Sequence, residues 1–289
     1  MCLNLAKLKW GQRSAMITGI VAFFGLVLFI CQSWNQIILW YKLYREFEQL
    51  PKNQQGYFEY RHRQTGIVMV LVPGGTFKMG SPDSESGHRI DEGPVHDVTL
   101  SPFLIAKTEM TQLAWRKIMG DAPSCYQGDD LPVDSVNWHR CVEFCQKAEL
   151  QLPTEAQWEY ACRAGSRGPF AGTGNPDEMG WNLSNGKDFN QPLGKNHPVG
   201  QKKSNAFGLY DMHGNVLEWC ADKYLSNFYN MDDSRKPNPI CNDLDSDFRI
   251  SRGGSRTFPP QYGRSAYRFH LKPLFADFEL GFRPALTLR

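Results

Sequence analysis

From Ala15 to Cys31 the chain reads AMITGIVAFFGLVLFIC, in which Thr18 is the only strongly polar side chain, and no charge occurs from Ser14 to Tyr41. At about 1.5 Å of rise per residue, a helix over this uncharged stretch is long enough to cross a bilayer. Trp34, Trp40 and Tyr41 come next, amphipathic rings of the kind that collect at membrane interfaces. The pattern predicts a tail over residues 1–13, a single transmembrane anchor with its interfacial segment over 14–41, and a polar stalk over 42–65 (KLYREFEQLPKNQQGYFEYRHRQT). An uncleaved anchor is preferred to a signal peptide. No small-x-small pattern closes the apolar run, and Leu28, Phe29 and Ile30 before Cys31 are too bulky for a lipoprotein signal.

The domain is expected over residues 66–289. The apolar runs VMVLV and TFKMGS on either side of Pro73-Gly74-Gly75 predict a hairpin, with glycines where positive φ is needed. A polar loop from Pro82 to Gly93 precedes two more strand-like runs, VHDVTL and FLIAKTEMT, broken at Ser101-Pro102. Thr111 is placed to cap a helix running to Met119 and ended by Gly120. Ser135 is read as the cap of a second, from Val136 to about Glu149, with Trp138, Val142, Cys145 and Ala148 at helical spacing. A third starts at Thr154 in a Thr-Glu-Ala-Gln capping box and ends at Gly165. Beyond residue 166, Gly, Pro, Asn and Asp crowd the chain, so regular structure should be sparse there. Loops of that kind need bound cations or many hydrogen bonds to hold them.

Composition narrows the function classes. The 289 residues carry a formal charge of +2; the first 41 hold Lys7, Lys9 and Arg13 and no acid, leaving 29 basic against 30 acidic groups in the rest. No nucleic-acid partner is implied by that balance. Lys7, Lys9 and Arg13 are matched in number by Lys42, Arg45 and Lys52 across the apolar run. A short tail before a large domain then favours the tail inside and the domain outside, that is, on the periplasmic side of a bacterial inner membrane. Six of eight cysteines lie in the domain, and Cys141 and Cys145 are one helical turn apart, which suits a shared helix face better than a disulfide. The histidines (62, 88, 96, 139, 197, 213 and 270) are scattered and lack metal-ligand spacing.

Several motifs then occur in order: Pro73-Gly74-Gly75-x-Phe77-x-Met79-Gly80; Pro132-Val133 with Val136-x-Trp138; Leu152-Pro153-Thr154-Glu155-Ala156-Gln157-Trp158-Glu159-Tyr160-Ala161; Pro198-Val199-Gly200; Asn205-x-Phe207-Gly208-Leu209-Tyr210-Asp211-Met212-x-Gly214-Asn215-Val216-x-Glu218-Trp219; Arg252-Gly253-Gly254-Ser255; Arg264-Ser265-Ala266-Tyr267-Arg268; and Leu280-Gly281-Phe282-Arg283. Over about residues 67 to 286 the chain resembles the formylglycine-generating-enzyme, or sulfatase-modifying-factor, family. The resemblance implies a single α+β domain of C-type-lectin-like architecture with little regular secondary structure. It does not by itself settle activity, because one fold hosts many functions.

In the family's oxidases two cysteines shortly after Arg-Gly-Gly-Ser bind Cu(I), a soft ion suited to thiolates. Those positions fall here at Phe258 and Gly263, and Leu217 stands where a tryptophan is usual, although Ser255 is retained. The resemblance also matches Cys145 and Cys162 to disulfide positions of the animal enzymes, whose partner positions are Pro284 and Arg268. Those bridges cannot form. A calcium ion is implied at DMHGNVLE, held by Asp211, the carbonyls of Gly214 and Val216, and Glu218. A second site would use Asn182 and the Leu183 carbonyl, with further ligands from the shortened stretch Asn190 to Val199, which lacks a clear carboxylate. Trp158, Trp181 and Trp219 are read as packing residues, and Arg252, Arg264, Arg268 and Arg283 as partners of buried acids such as Glu155 or Glu159. The sequence thus points to a membrane-anchored domain without copper oxidase activity, binding a peptide or protein client in a cleft around Trp181, Ser255 and Tyr262, in an accessory or maturation role. The alternative is a formylglycine-generating oxidase or another metal-dependent modifying enzyme, and a carbohydrate-binding receptor role is a second rival.

Overall fold

The computed structural model describes residues 41–186 and 195–288. The anchor expected over 14–41 lies outside these except for Tyr41, as does the tail over 1–13; among the described residues no helix is long and apolar enough to cross a membrane. The unit that carries the site runs Phe47–Leu288.

Its sheets begin earlier than the sequence suggested. Strands β1 (Phe47–Leu50) and β2 (Glu59–His62) are antiparallel partners, Phe47 facing His62, and β2 pairs in turn with β3 (Val68–Val72). Part of the expected stalk therefore forms two strands, β1 at the sheet edge and β2 beside it. The buried positions of these strands are few, Phe47 in β1 and Glu59 and His62 in β2, and two of the three are polar, so the stretch reads as polar. Phe47 and His62 are buried with ring centroids 5.0 Å apart.

The predicted hairpin at Pro73 is absent. Strand β4 (Gly75–Met79) pairs with β5 (His96–Leu100), whereas β3 pairs with β6 (Phe103–Ala106). The chain leaves one sheet at Pro73 and enters another. Gly74 is needed for close approach rather than for positive φ: a Cβ there would meet the Leu100 carbonyl oxygen at 2.7 Å and the Pro102 ring at 2.9 Å.

Helices α1 (Gln112–Met119), α2 (Trp138–Lys147), α3 (Glu155–Arg163) and the short α4 (Pro176–Met179) follow. Thr111 caps α1 as expected, accepting from the Ala114 N–H, and Thr154 with Gln157 completes the capping box of α3. The cap of α2 is Asn137, not Ser135: Ser135 has a φ of 59°, while the Asn137 Oδ1 accepts from the Arg140 N–H at 3.0 Å. Cys141 and Cys145 both lie on the buried face of α2, and the six cysteines from 125 to 241 are free.

After α4 the chain is mostly loop, with β7 (Leu217–Lys223), β8 (Arg249–Arg252), β9 (Phe269–Leu271), β10 (Leu280–Gly281) and β11 (Ala285–Thr287). The sheets are ordered β1-β2-β3-β6-β11, β10-β7-β8-β9 and β4-β5. Helix α3 packs into the core with Trp158 fully buried among Val70, Phe103, Met212, Cys220 and Ile250.

Candidate functional site

Buried ion pairs tie helix α3 and the Pro82–Gly93 loop to the stretch from Arg252 to Arg268. Arg268 is bidentate to Glu155 at 2.7 and 2.9 Å, Arg264 reaches Glu92 at 2.6 Å and Glu85 at 2.6 Å, and Arg163 holds Glu159 at 2.8 Å. Arg252 donates to Glu159 as well. Burial opposes ionisation of Glu159, but Arg163 and Arg252 outweigh it and hold its pKa below the usual carboxylate range. Arg252 and Arg268 pair with the two helix glutamates, as the sequence reading expected of buried acids, whereas Arg264 pairs with Glu85 and Glu92. Arg264 and Arg268 also fasten the Pro82–Gly93 loop, through Glu85, Glu92, the Gly87 carbonyl and the Asp91 carbonyl.

Ser255 follows β8 after Gly253 and Gly254, which have φ of 99° and 72°. Its hydroxyl is buried and lies 3.2 Å from the Thr257 hydroxyl. The Leu183 N–H donates to the Phe258 carbonyl at 2.9 Å, and the Phe258 and Tyr262 rings meet edge to face at 5.9 Å. Trp181, Ser255 and Tyr262 thus lie on neighbouring segments. Trp158 and Trp219 are core residues, whereas Trp181 is half-buried, stacked on His197 at 3.7 Å with the Lys202 Nζ 3.8 Å from its ring centroid.

Phe258 stacks on Phe269 at 5.4 Å with the planes 19° apart. Gly263 is tightly packed: a Cβ would stand 3.1 Å from the His213 carbonyl oxygen and 3.3 Å from that of Gly253, so a side chain there would need its neighbours to give by a few tenths of an ångström. Beneath it, the His213 Nδ1–H donates to the Gly263 carbonyl at 2.8 Å and Nε2 accepts from the Ala171 N–H at 3.0 Å, which fixes the neutral tautomer. The Cys162 thiol lies 3.7 Å from that ring, and burial pushes its pKa up to about 12. Thiol and imidazole are both neutral, so they form no activated pair.

Burial lowers the His213 pKa to about 4, from 6.5 for free imidazole. Between those values the unfolded chain binds a proton that the folded domain does not, so this contribution to stability is complete above pH 6.5 and is lost as the pH falls toward 4. Replacing His213 with Gln should flatten the pH dependence of the unfolding free energy across that window. Parallel curves for the two proteins would remove His213 as its source.

The loop Asp211–Glu218 joins Trp181 to β7. Glu218 is bidentate to Arg283 at 2.6 Å on both oxygens and accepts from the Trp158 Nε1–H at 2.7 Å. The Asp211 Oδ2 accepts from the Gly200 N–H at 2.6 Å, while its Oδ1 is buried without a hydrogen-bond partner. Burial raises the Asp211 pKa to about 6. Glu109, which sequence reading missed, lies beside this loop: its Oε1 accepts from the Val216 N–H at 3.0 Å and its Oε2 from the Asn215 Nδ2 at 2.7 Å. Burial first, then Asp211 and Glu218, push its pKa well up. Nothing near Glu109 in the sequence marks it, because it is a lone acid in a strand-to-helix loop.

A family model, the sulfatase-modifying factor enzyme 1-like domain, matches residues 54–288. The chain belongs to that family. This sulfatase-modifying factor enzyme 1-like domain is 34% identical to the chaperone protein LppX of Paenibacillus barcinonensis, over 53% of this chain and 70% of that one. It is 28% identical to the formylglycine-generating enzyme of Thermomonospora curvata (56% and 73% covered) and 28% identical to the inactive C-alpha-formylglycine-generating enzyme 2 of Bos taurus (65% and 76% covered). Among solved structures, PvdO from Pseudomonas aeruginosa superposes with a TM-score of 0.67 at 27% identity, over 83% of this chain and 98% of that one. The mixed α/β fold of formylglycine-generating enzymes is thereby shown.

In this family member the two expected calcium sites differ. At the first, the buried, unpartnered Asp211 Oδ1 near the carboxyl groups of Glu109 and Glu218 is an arrangement that a hard cation would relieve. At the second, the Asn182 Oδ1 already accepts from the Ser184 N–H at 2.8 Å, and part of the stretch expected to complete the set lies outside the described residues. Among the described residues no group of three His, Cys, Asp or Glu side chains is gathered for a metal.

Proposed function

We propose that this chain is a membrane-anchored member of the family without copper oxidase activity, which receives a peptide or protein client in the cleft around Trp181, Ser255 and Tyr262. The role is accessory to the client's maturation. The carrying observation is the state of the two copper-ligand positions: Phe258 is packed on Phe269, and Gly263 sits against the His213 carbonyl. Neither can supply a thiolate. The relatives named a chaperone and an inactive enzyme agree with a non-oxidative role. In this reading residues 14–41 hold the domain at the outer face of a bacterial inner membrane.

The test supplies the full-length protein with Cu(I), oxygen and a Cys-x-Pro-x-Arg peptide and follows the peptide mass. Unchanged mass is expected, together with retention of client on immobilised protein that is lost when Ser255 and Tyr262 are both replaced by tryptophan. The mass loss of cysteine conversion to formylglycine would establish the oxidase instead.

The same reading gives the Asp211 loop a structural calcium ion, held by Asp211, the Gly214 and Val216 carbonyls and Glu218, which would supply positive charge to the buried carboxylates. Binding to the folded state alone stabilises it in proportion to ln(1 + [L]/Kd). Chelation should therefore lower the melting temperature of the wild-type protein and leave an Asp211→Ala variant unmoved. An equal response from both would remove the ion from this loop.

A further inference from the structure

Asn215 lies in the middle of the Asp211–Glu218 loop, fully buried, with a φ of 64°. Its bonds leave the loop in every direction. The backbone N–H donates to the Trp181 carbonyl at 2.8 Å, and the backbone carbonyl accepts from the Arg256 N–H at 3.1 Å. The side-chain Oδ1 accepts from the His197 N–H at 3.0 Å, while Nδ2 donates to the His197 carbonyl at 3.1 Å and to the Glu109 Oε2 at 2.7 Å. Glu109 in turn grips the next peptide through the Val216 N–H at 3.0 Å. At residues 109, 181, 197, 215 and 256 the chain is neither helix nor strand. No ladder fixes these segments, so their relative placement depends on bonds of this kind.

We propose that Asn215, backed by Glu109, is the positioning residue of the cleft: it fixes the segments carrying Trp181, His197 and Arg256 against the Asp211–Glu218 loop, so that a cation in the loop and a ligand in the cleft stabilise each other. The second half of this statement rests on the calcium and cleft reading above; the first does not. Because a coupling free energy is reciprocal, an ion that tightens the loop tightens the cleft walls by the same amount that a cleft ligand tightens the ion.

The experiment is hydrogen–deuterium exchange of the full-length protein, read by mass spectrometry on peptides covering 181–186, 195–199, 211–218 and 255–258, with 68–72 in β3 as an internal standard. Asn215→Gly keeps the positive φ and every backbone bond and deletes only the side-chain bonds. In chelator, the variant should exchange about tenfold faster at 181–186 and 255–258, a change equivalent to about 1.4 kcal/mol, with β3 unchanged. Those two peptides are bonded to Asn215 through its backbone alone, so acceleration confined to 195–199 and 211–218 would overturn the positioning role. Glu109→Gln, which keeps an acceptor for Val216 and opposes a donor to Asn215 Nδ2, should show the same pattern if the glycine variant does not fold. In the wild type, added calcium should protect the cleft peptides together with 211–218. Protection of 211–218 alone would overturn the coupling while leaving the ion in place, and protection of neither would remove the ion, with the variant comparison still deciding the part played by Asn215.

Discussion

Replacing Arg283 with alanine is expected to lower the free energy of unfolding by about 3–5 kcal/mol, the usual consequence of leaving a buried charge without its partner. Arg283 is fully buried, bidentate to Glu218, and donates to the Ala106 carbonyl at 3.2 Å and the Tyr210 carbonyl at 2.9 Å. One side chain therefore joins β6, the start of the Asp211 loop and β7. Without it, the buried Glu218 carboxylate loses the guanidinium that donates to both of its oxygens. A urea titration of the variant reads the change as a shift of the midpoint. The double variant Arg283→Met with Glu218→Gln should recover a large part of it, since the loss comes from the stranded carboxylate more than from the pair's own net value. A single-variant change under about 1 kcal/mol, the range of exposed pairs, would show that solvent reaches Glu218 and that this interior is not closed.

Gly214→Ala should be comparably damaging for a different reason. Gly214 has a φ of 150°, and a Cβ there would stand 2.0 Å from the Trp181 carbonyl oxygen and 2.7 Å from its carbon. The backbone conformation alone carries about 1–3 kcal/mol of strain for a residue with a Cβ, and forcing two backbone segments apart adds about 1–3 kcal/mol. The displacement would fall on the Asn215–Trp181 bond, so if the proposed client binds beside Trp181, its retention should weaken along with stability. Thermal melting and client retention measured on the same preparation check this, and a variant that melts like the wild type and keeps its client would contradict the closeness of the two segments. Gly120→Ala is the control. Gly120 also has positive φ, 78°, but a Cβ there meets nothing within 4 Å, so strain acts there without overlap.

Part of the site could be read from residue order, and part could not. The absence of cysteine at 258 and 263 is visible in the sequence, as is the Asp211–Glu218 segment. That Gly263 packs tightly against the His213 carbonyl is visible only in the folded chain. From sequence, Trp181 is both a packing residue and a cleft candidate; unlike Trp158 and Trp219 it is half-buried, with the Lys202 ammonium near its ring and His197 stacked on it. Glu109 and Asn215 were passed over because they lie 106 residues apart, and neither carries a local pattern that implies the other.

By itself the sequence determined the family, the capped helices α1 and α3, the buried face of α2, and the absence of cysteine at 258 and 263. Those features depend on residue type and on spacings of three or four positions, which the helix turns into neighbours. Tertiary structure alone decided that β3 and β4 belong to different sheets, that the supposed stalk supplies β1 and β2, that Asn137 and not Ser135 caps α2, and that Asn215 donates to Glu109. Each of these is a choice of partner by a backbone or polar group that could have been satisfied locally. Such choices are settled by packing between distant segments, where a clash of a few tenths of an ångström excludes the local alternative.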